Sequence, residues 1–127
     1  MVNAARIIVI DDEETIVQTL TRVLQKGGYE VDTAKTGKEA IEKTSSNFYD
    51  VALIDIRLPD MEGTDLIPKA GPAFSKTIKI ILTGLPSSDS QEKAFEQGVD
   101  AYLTKPTRPE ELLSLIEEKL RRRNSRK

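Results

Sequence analysis

A chain of 127 residues, 38% apolar and 31% charged, is long enough to bury about two-thirds of its unfolded surface in one core and too apolar to stay disordered. It holds neither cysteine nor histidine, which excludes disulfide frameworks, thiol nucleophiles, Ser-His and Cys-His catalysis and thiolate metal sites, and leaves zinc without its usual ligands. The net charge of −2 conceals a split: residues 119–127 carry six of the 19 basic groups, so the first 118 hold 13 basic against 21 acidic side chains and offer a poor surface for direct nucleic-acid binding.

Met1–Ala5 is too short and polar for a signal peptide, and no apolar run approaches the length of a bilayer span, so the sequence reads as cytoplasmic with no membrane partner. Arg6–Ile10 reads as a buried strand, and Glu13–Lys26 as a helix with Ile16, Val17, Leu20, Val23 and Leu24 on one face, stopped by Gly27-Gly28. Tyr29–Ala34 alternates as a half-buried edge strand does, and Thr36-x-x-Glu39 has capping-box spacing before a second helix through about Ser45. Asp50–Ile54 is a third strand, Ile78–Leu82 a fourth and Ala101–Leu103 a short fifth.

Between the third and fourth strands, Pro68 and Pro72 break what would be a helix, so that helix is expected to be short or displaced. Ser88-x-x-Gln91 is the expected cap of a fourth helix, with Ala94 and Phe95 as its core residues and therefore weak anchoring. Thr107-x-x-Glu110 repeats the capping-box spacing before a last helix, whose Leu112, Leu113, Ile116 and Leu120 form one stripe and whose first turn tolerates Pro109. The expected core ends near Leu120, and residues 121–127 read as a basic tail or linker stub that complements the helix dipole.

The pattern is strand-helix repeated five times in one domain, an α/β chain whose parallel sheet takes either sequential order or the doubly wound order 2-1-3-4-5. Four apolar runs end in chemistry: Asp11 and Asp12, Asp55, Thr83, and Lys105 before Pro106. Each has a plain explanation by itself. Asp11 to Glu14 could be an acidic first helical turn, Asp55 a loop carboxylate, Thr83 a strand-end hydroxyl beside the turn residue Gly84, and Lys105 a surface lysine.

The doubly wound order makes the first and third strands neighbours, and three carboxylates then converge where parallel sheets bind ligands. Such a cluster is unfavourable unless a cation compensates it or some protons are retained, and oxygen ligands without imidazole or thiolate select a hard ion, Mg2+ or Mn2+. A carboxylate flanked by a divalent ion, a lysine and a hydroxyl is equipped to accept a phosphoryl group.

On Ile-Val-Ile-Asp11-Asp12-Glu13, Leu-Ile-Asp55-Ile-Arg-Leu-Pro59-Asp-Met-Glu-Gly63, Ile-Leu-Thr83-Gly84 and Tyr102-Leu-Thr-Lys105-Pro106, the chain resembles the receiver domain of two-component response regulators from about Arg6 to Leu120. The resemblance implies a flavodoxin-like (βα)5 fold, order 2-1-3-4-5, with Asp55 as phosphoacceptor. It implies direct Mg2+ ligation by Asp12, Asp55 and the Arg57 backbone carbonyl, with Asp11 acting mainly through water. Lys105 then pairs with the phosphoryl group across a cis Lys105-Pro106 bond, and Thr83 and Tyr102 are the switch pair. The phosphoryl donor is a histidine kinase or phosphotransfer protein, and the readout is the surface of the fourth helix, fifth strand and fifth helix, with homodimerisation on activation left open. The domain promotes only its own phosphorylation and dephosphorylation and is not otherwise an enzyme.

Two departures stand out. The prolines put the third-helix surface in doubt, and Arg57 and Leu85 occupy variable positions, where Arg57 is expected to contact the phosphoryl group and Leu85 to shield it from water. The rival readings are a receiver-like interaction module that is never phosphorylated and an aspartyl-phosphate phosphohydrolase. The second is disfavoured because Arg57 stands where such enzymes place another acid.

Overall fold

The computed structural model describes residues 4–125. Five strands, β1 (Arg6–Ile10), β2 (Glu30–Ala34), β3 (Val51–Ile54), β4 (Ile78–Thr83) and β5 (Ala101–Thr104), form one parallel sheet in the order β2-β1-β3-β4-β5. This is the flavodoxin-like arrangement, and it excludes the sequential alternative. The central strands β1, β3 and β4 are almost wholly buried, which explains their unbroken apolar sequences, whereas β2 lies at the edge and shows the expected partial exposure.

Side chains alternate between two cores, as strand geometry requires. On one face Ile7, Val9, Leu53 and Ile80 meet Val17 and Leu24 of α1 (Glu14–Lys26) and Leu112 and Ile116 of α5 (Pro109–Asn124). On the other, Ile8, Ile10, Ile54 and Ile81 meet Ala40 of α2 (Gly37–Ser46), Leu66 of α3 (Gly63–Leu66) and Ala94 of α4 (Ser88–Glu96). Helices therefore leave β1 and β3 toward opposite faces, and the carboxyl ends of those two strands open a crevice.

Local chemistry places several boundaries. Thr36 caps α2 by accepting from the Glu39 amide at 3.0 Å, but Glu39 reaches the Lys35 amide at 2.8 Å instead of completing the reciprocal half of the box. The expected cap of α4 is corrected by one residue: Ser87, not Ser88, accepts from the Ser90 amide. Phe95 is corrected too. It is 48% exposed, because Ala94 and Val99 take the inward positions at this end of the helix. Ala94 is the one buried residue within α4, so its weak anchoring is as expected.

The capping box before α5 does not form. Arg108 occupies the cap position without a side-chain bond, and Thr107 Oγ1 donates back to the Thr104 carbonyl. Helix α5 runs four residues past the expected end of the core, to Asn124, because the Arg123 guanidinium binds Asp50 Oδ1 at 2.8 Å and basic groups suit the negative end of the helix. Arg126 and Lys127, the end of the expected tail, lie outside the described residues. Among the described residues, no helix is long and apolar enough to cross a membrane.

The proline-interrupted segment is resolved into pieces. α3 lasts four residues and gives way to 3-10 turns at Ile67–Lys69 and Pro72–Lys76. Carbonyls at the end of the second turn are bound by a buried lysine on β4: Lys79 Nζ donates to Thr77 O at 2.7 Å and to Phe74 O at 3.1 Å, the latter shared with the Thr77 amide, and lies 5.3 Å from the Phe74 ring centre. Burial pushes the Lys79 ammonium below its ordinary pKa, with Asp100 opposing the shift.

Candidate functional site

Asp11 follows β1 and Asp55 follows β3, and their amides continue the sheet by donating to Ala34 O and Ile10 O. Pairing of these strands sets the two carboxylates side by side. Asp11 and Asp55 are 3% and 6% exposed, while Asp12 is open to solvent, and carboxylate oxygens of all three lie within 4.8 Å of one another. Lys105, just past β5, reaches over them, with Nζ 2.6 Å from Asp11 Oδ2, 3.3 Å from Asp55 Oδ2 and 3.4 Å from Glu13 Oε1. The Lys105–Pro106 peptide is cis, and the Lys105 amide donates to Thr83 O at 2.8 Å.

The electrostatics are unbalanced. Like charges at this spacing repel by ~3–4 kcal/mol per pair at an effective dielectric of about 20, so the buried pair cannot ionise freely. Burial first, and then the Asp11 charge, pushes the Asp55 carboxyl above its ordinary range, with Lys105 and the Arg57 amide pulling part of the way back. Burial opposes charge on Lys105 as well, yet Asp11 and Asp55 outweigh it and hold the ammonium above its ordinary pKa. The carboxylates outnumber the one ammonium among them, and a divalent cation offsets the excess negative charge. The donor set is oxygen only, which fits Mg2+ or Mn2+.

Thr83 ends β4 beside β3 and is 1% exposed. Its Oγ1 accepts from the Leu85 amide at 3.2 Å, and among the described residues nothing accepts its proton, which is available to a ligand. Gly84 leaves open space above: a side-chain carbon there would meet nothing within 4 Å. Leu85 is 59% exposed and Arg57 is also exposed; the Arg57 amide donates to Asp55 Oδ1 at 3.3 Å. Tyr102 is half-buried on β5. Its hydroxyl is engaged by α4 instead of water, accepting from the Ser87 amide and sharing a hydrogen bond with Ser90 Oγ.

The loop from Asp55 to α3 is pinned on both sides by residues to which sequence reasoning assigned no task. Asp60 accepts from the Gly37 and Lys38 amides at 2.8 and 2.9 Å, and these two bonds hold its carboxyl below the ordinary range. Lys93 of α4 pairs with Glu62 at 3.3 Å and Asp65 at 3.2 Å, while Glu62 forms a backbone bridge to Arg57. Gly63 closes the loop by donating to Ile56 O at 2.6 Å. A side-chain carbon at Gly63 would overlap the Asp55 carbonyl oxygen and stand 2.7 Å from Ile54 Cγ2.

The comparisons with known proteins agree with this geometry. Residues 7–117 match the family model described as response regulator receiver domain. The Cell cycle transcriptional regulator CtrA of Caulobacter vibrioides is 33% identical over 117 residues, 92% of this chain and 51% of its own length. The chain thus spans about half the length of the curated relatives it matches. A crystal structure of a receiver domain protein (CheY-like) from Methanospirillum hungatei superposes with a TM-score of 0.94 at 38% identity, covering 98% of this chain and all of that one. A response regulator from Burkholderia pseudomallei, whose crystal structure contains a phosphorylated aspartic acid, a calcium ion and citrate, has a TM-score of 0.84 at 27% identity, covering 95% of this chain and 71% of its own.

Proposed function

The chain belongs to the response regulator receiver domain family, and from that premise we propose that it is a phosphorylation switch in which Asp55 accepts a phosphoryl group from the phosphohistidine of a histidine kinase or phosphotransfer protein. The convergence of Asp11, Asp12 and Asp55 beneath Lys105 carries this reading. A receiver is a signalling module and not an enzyme in the ordinary sense.

Asp11, Asp12, Asp55 and the Arg57 backbone carbonyl are the groups that would hold Mg2+. When bound, the ion supplies positive charge to the site and to the phosphoryl oxygens. The chain's own groups do the rest. An Asp55 carboxylate oxygen attacks phosphorus in line as the bond from phosphorus to the donor nitrogen breaks, and the acyl phosphate forms with the electron pair leaving on that nitrogen. Lys105 transfers its pairing from the Asp55 carboxylate to a phosphoryl oxygen. The free Thr83 hydroxyl proton supplies a hydrogen bond to another phosphoryl oxygen, and the open space over Gly84 admits the group.

The readout is a biased two-state equilibrium. Movement of Thr83 toward the phosphoryl group vacates space on the face it shares with Tyr102, and inward rotation of Tyr102 breaks its bonds to Ser87 and Ser90. The surface of α4, β5 and α5 then changes its binding preference, with near-complete switching requiring about 5 kcal/mol of differential stabilisation. Incubation with acetyl phosphate and Mg2+, read by intact mass, tests the reading. Wild type gains one phosphoryl group and loses the gain in chelator, and Asp55→Asn gains none. An unlabelled wild type, under conditions that label another receiver, contradicts it and leaves an interaction module that is never phosphorylated.

A further inference from the structure

The amino-terminal end of the sheet, opposite Asp55, holds a cavity of about 550 Å³ that the switch does not use. The five residue steps from Asp50 to Asp55 span β3 and separate the two ends by about 17 Å at the rise of an extended strand. Its volume falls within the range of small-molecule sites. Around it stand Lys76 from the second 3-10 turn and Lys119, Arg122 and Arg123 from α5, with Phe48 at the rim and Asp100 as its one acid.

These cations divide by what they already do. Arg123 is committed to Asp50, and the neighbouring Arg121, outside the cavity, pairs with Glu117 at 3.8 Å. The buried Lys79 in the cavity wall is spent on the carbonyls of Phe74 and Thr77. Lys76, Lys119 and Arg122 have no carboxylate partner among the described residues. Asp100, whose Oδ2 accepts from the Lys79 amide at 2.8 Å, keeps its charge and offsets one of these three cations, which leaves the hollow with a positive excess. The helix dipole accounts for basic residues at the end of α5 but not for Lys76, which another element brings to the same hollow. Phe48 is 44% exposed at the rim and presents an unused aromatic surface.

We propose that this cavity binds an oligophosphate, its negative charges taken by Lys76, Lys119 and Arg122 and any attached base stacking on Phe48. Charge-assisted contacts from a guanidinium and two ammonium groups suit phosphate oxygens, and this end of the molecule is locally basic although the first 118 residues are acidic.

The test is a chemical-shift titration of the whole chain in magnesium-free buffer with chelator, using adenosine triphosphate in one arm and inorganic triphosphate in the other. Saturable shifts are expected at Phe48, Lys76 to Lys79 and Lys119 to Arg123, with no comparable change around Asp55. Lys119→Ala/Arg122→Ala, whose side chains reach the solvent-filled hollow, is expected to weaken binding by about tenfold or more while melting as wild type does. Tighter binding of the nucleotide, abolished by Phe48→Ala, supports a nucleotide as the source of the phosphates. Equal affinity in both arms supports a free oligophosphate. The absence of saturable shifts in both arms, or undiminished affinity in the double variant, overturns the proposal.

Discussion

Gly63→Ala is expected to damage folding and phosphoryl transfer together, because Gly63 lies against the backbone of the reacting residue. The added methyl would overlap the Asp55 carbonyl oxygen and stand 3.0 Å from the Asp55 carbonyl carbon and 2.7 Å from Ile54 Cγ2. Neither obstacle is the flexible end of a long side chain. Ile54 ends the central strand and Asp55 follows it, where Asp55 N donates to Ile10 O, and the Gly63 amide itself is tied to Ile56 O. Relief requires a retreat of roughly an ångström, with an overpacking cost of about 1–3 kcal/mol. For a domain of this size that is a loss of ~4–12 °C in Tm.

The same movement carries the Asp55 carboxylate away from Lys105 and the acidic pair. A displacement of that size costs on the order of 100-fold in rate at a preorganised site. Gly84→Ala is the matched control for stability, since its methyl meets nothing within 4 Å and Gly84 lacks a positive φ, and wild type is the reference for the labelling rate. Thermal denaturation and the initial rate of acetyl-phosphate labelling, measured side by side, read both effects. A Gly63→Ala protein that melts like Gly84→Ala and labels like wild type would refute the claimed contact.

Asp55→Asn is expected to raise stability in chelator, because burial and the Asp11 charge disfavour the ionised Asp55 carboxyl by more than Lys105 and the Arg57 amide favour it, and Mg2+ should narrow the gap; a lower Tm in chelator would contradict this. Tyr49→Phe removes the 2.6 Å hydrogen bond to Asp32, a carboxyl for which burial is outweighed by Tyr49, Lys43 and the Thr33 amide so that its pKa lies below the ordinary value. A depressed acid stabilises above its unfolded pKa of 3.8 and loses that contribution as pH falls through the lower folded value. The cost of Tyr49→Phe, about 1 kcal/mol at neutral pH, should therefore shrink in urea titrations below pH ~4; a pH-independent cost would refute the linkage. Arg57→Ala/Leu85→Ala should shorten the lifetime of the phosphorylated state, measured by decay of the labelled mass, and an unchanged lifetime rejects a shielding role for these two exposed side chains.

Strands and acids were legible in the sequence because burial on both faces demands unbroken apolar runs, and the polar residue ending each run marks the carboxyl edge. The strand order was not contained in periodicity, which allowed a sequential sheet equally well; the resemblance to receivers distinguished them. Single-residue errors came from near-degenerate choices. Ser87 and Ser88 are chemically identical caps, and an aromatic Phe95 looks like core until the buried neighbour proves to be Ala94. The bonds of Asp60 to the start of α2, 22 and 23 residues away, left no local signal. Lys79 carried no assignment within the apolar fourth strand, and its task appeared only once the proline-broken turn was placed beside it.

The most direct test of the account is chemical localisation of the phosphoryl group. After labelling with acetyl phosphate and Mg2+, borohydride reduction converts an aspartyl phosphate to homoserine, and peptide fragmentation identifies the altered position. The account predicts homoserine at Asp55 and nowhere else, with none formed in Lys105-intact Asp55→Asn protein. Homoserine at Asp11 or Asp12, or a phosphoryl group that resists reduction, would contradict it.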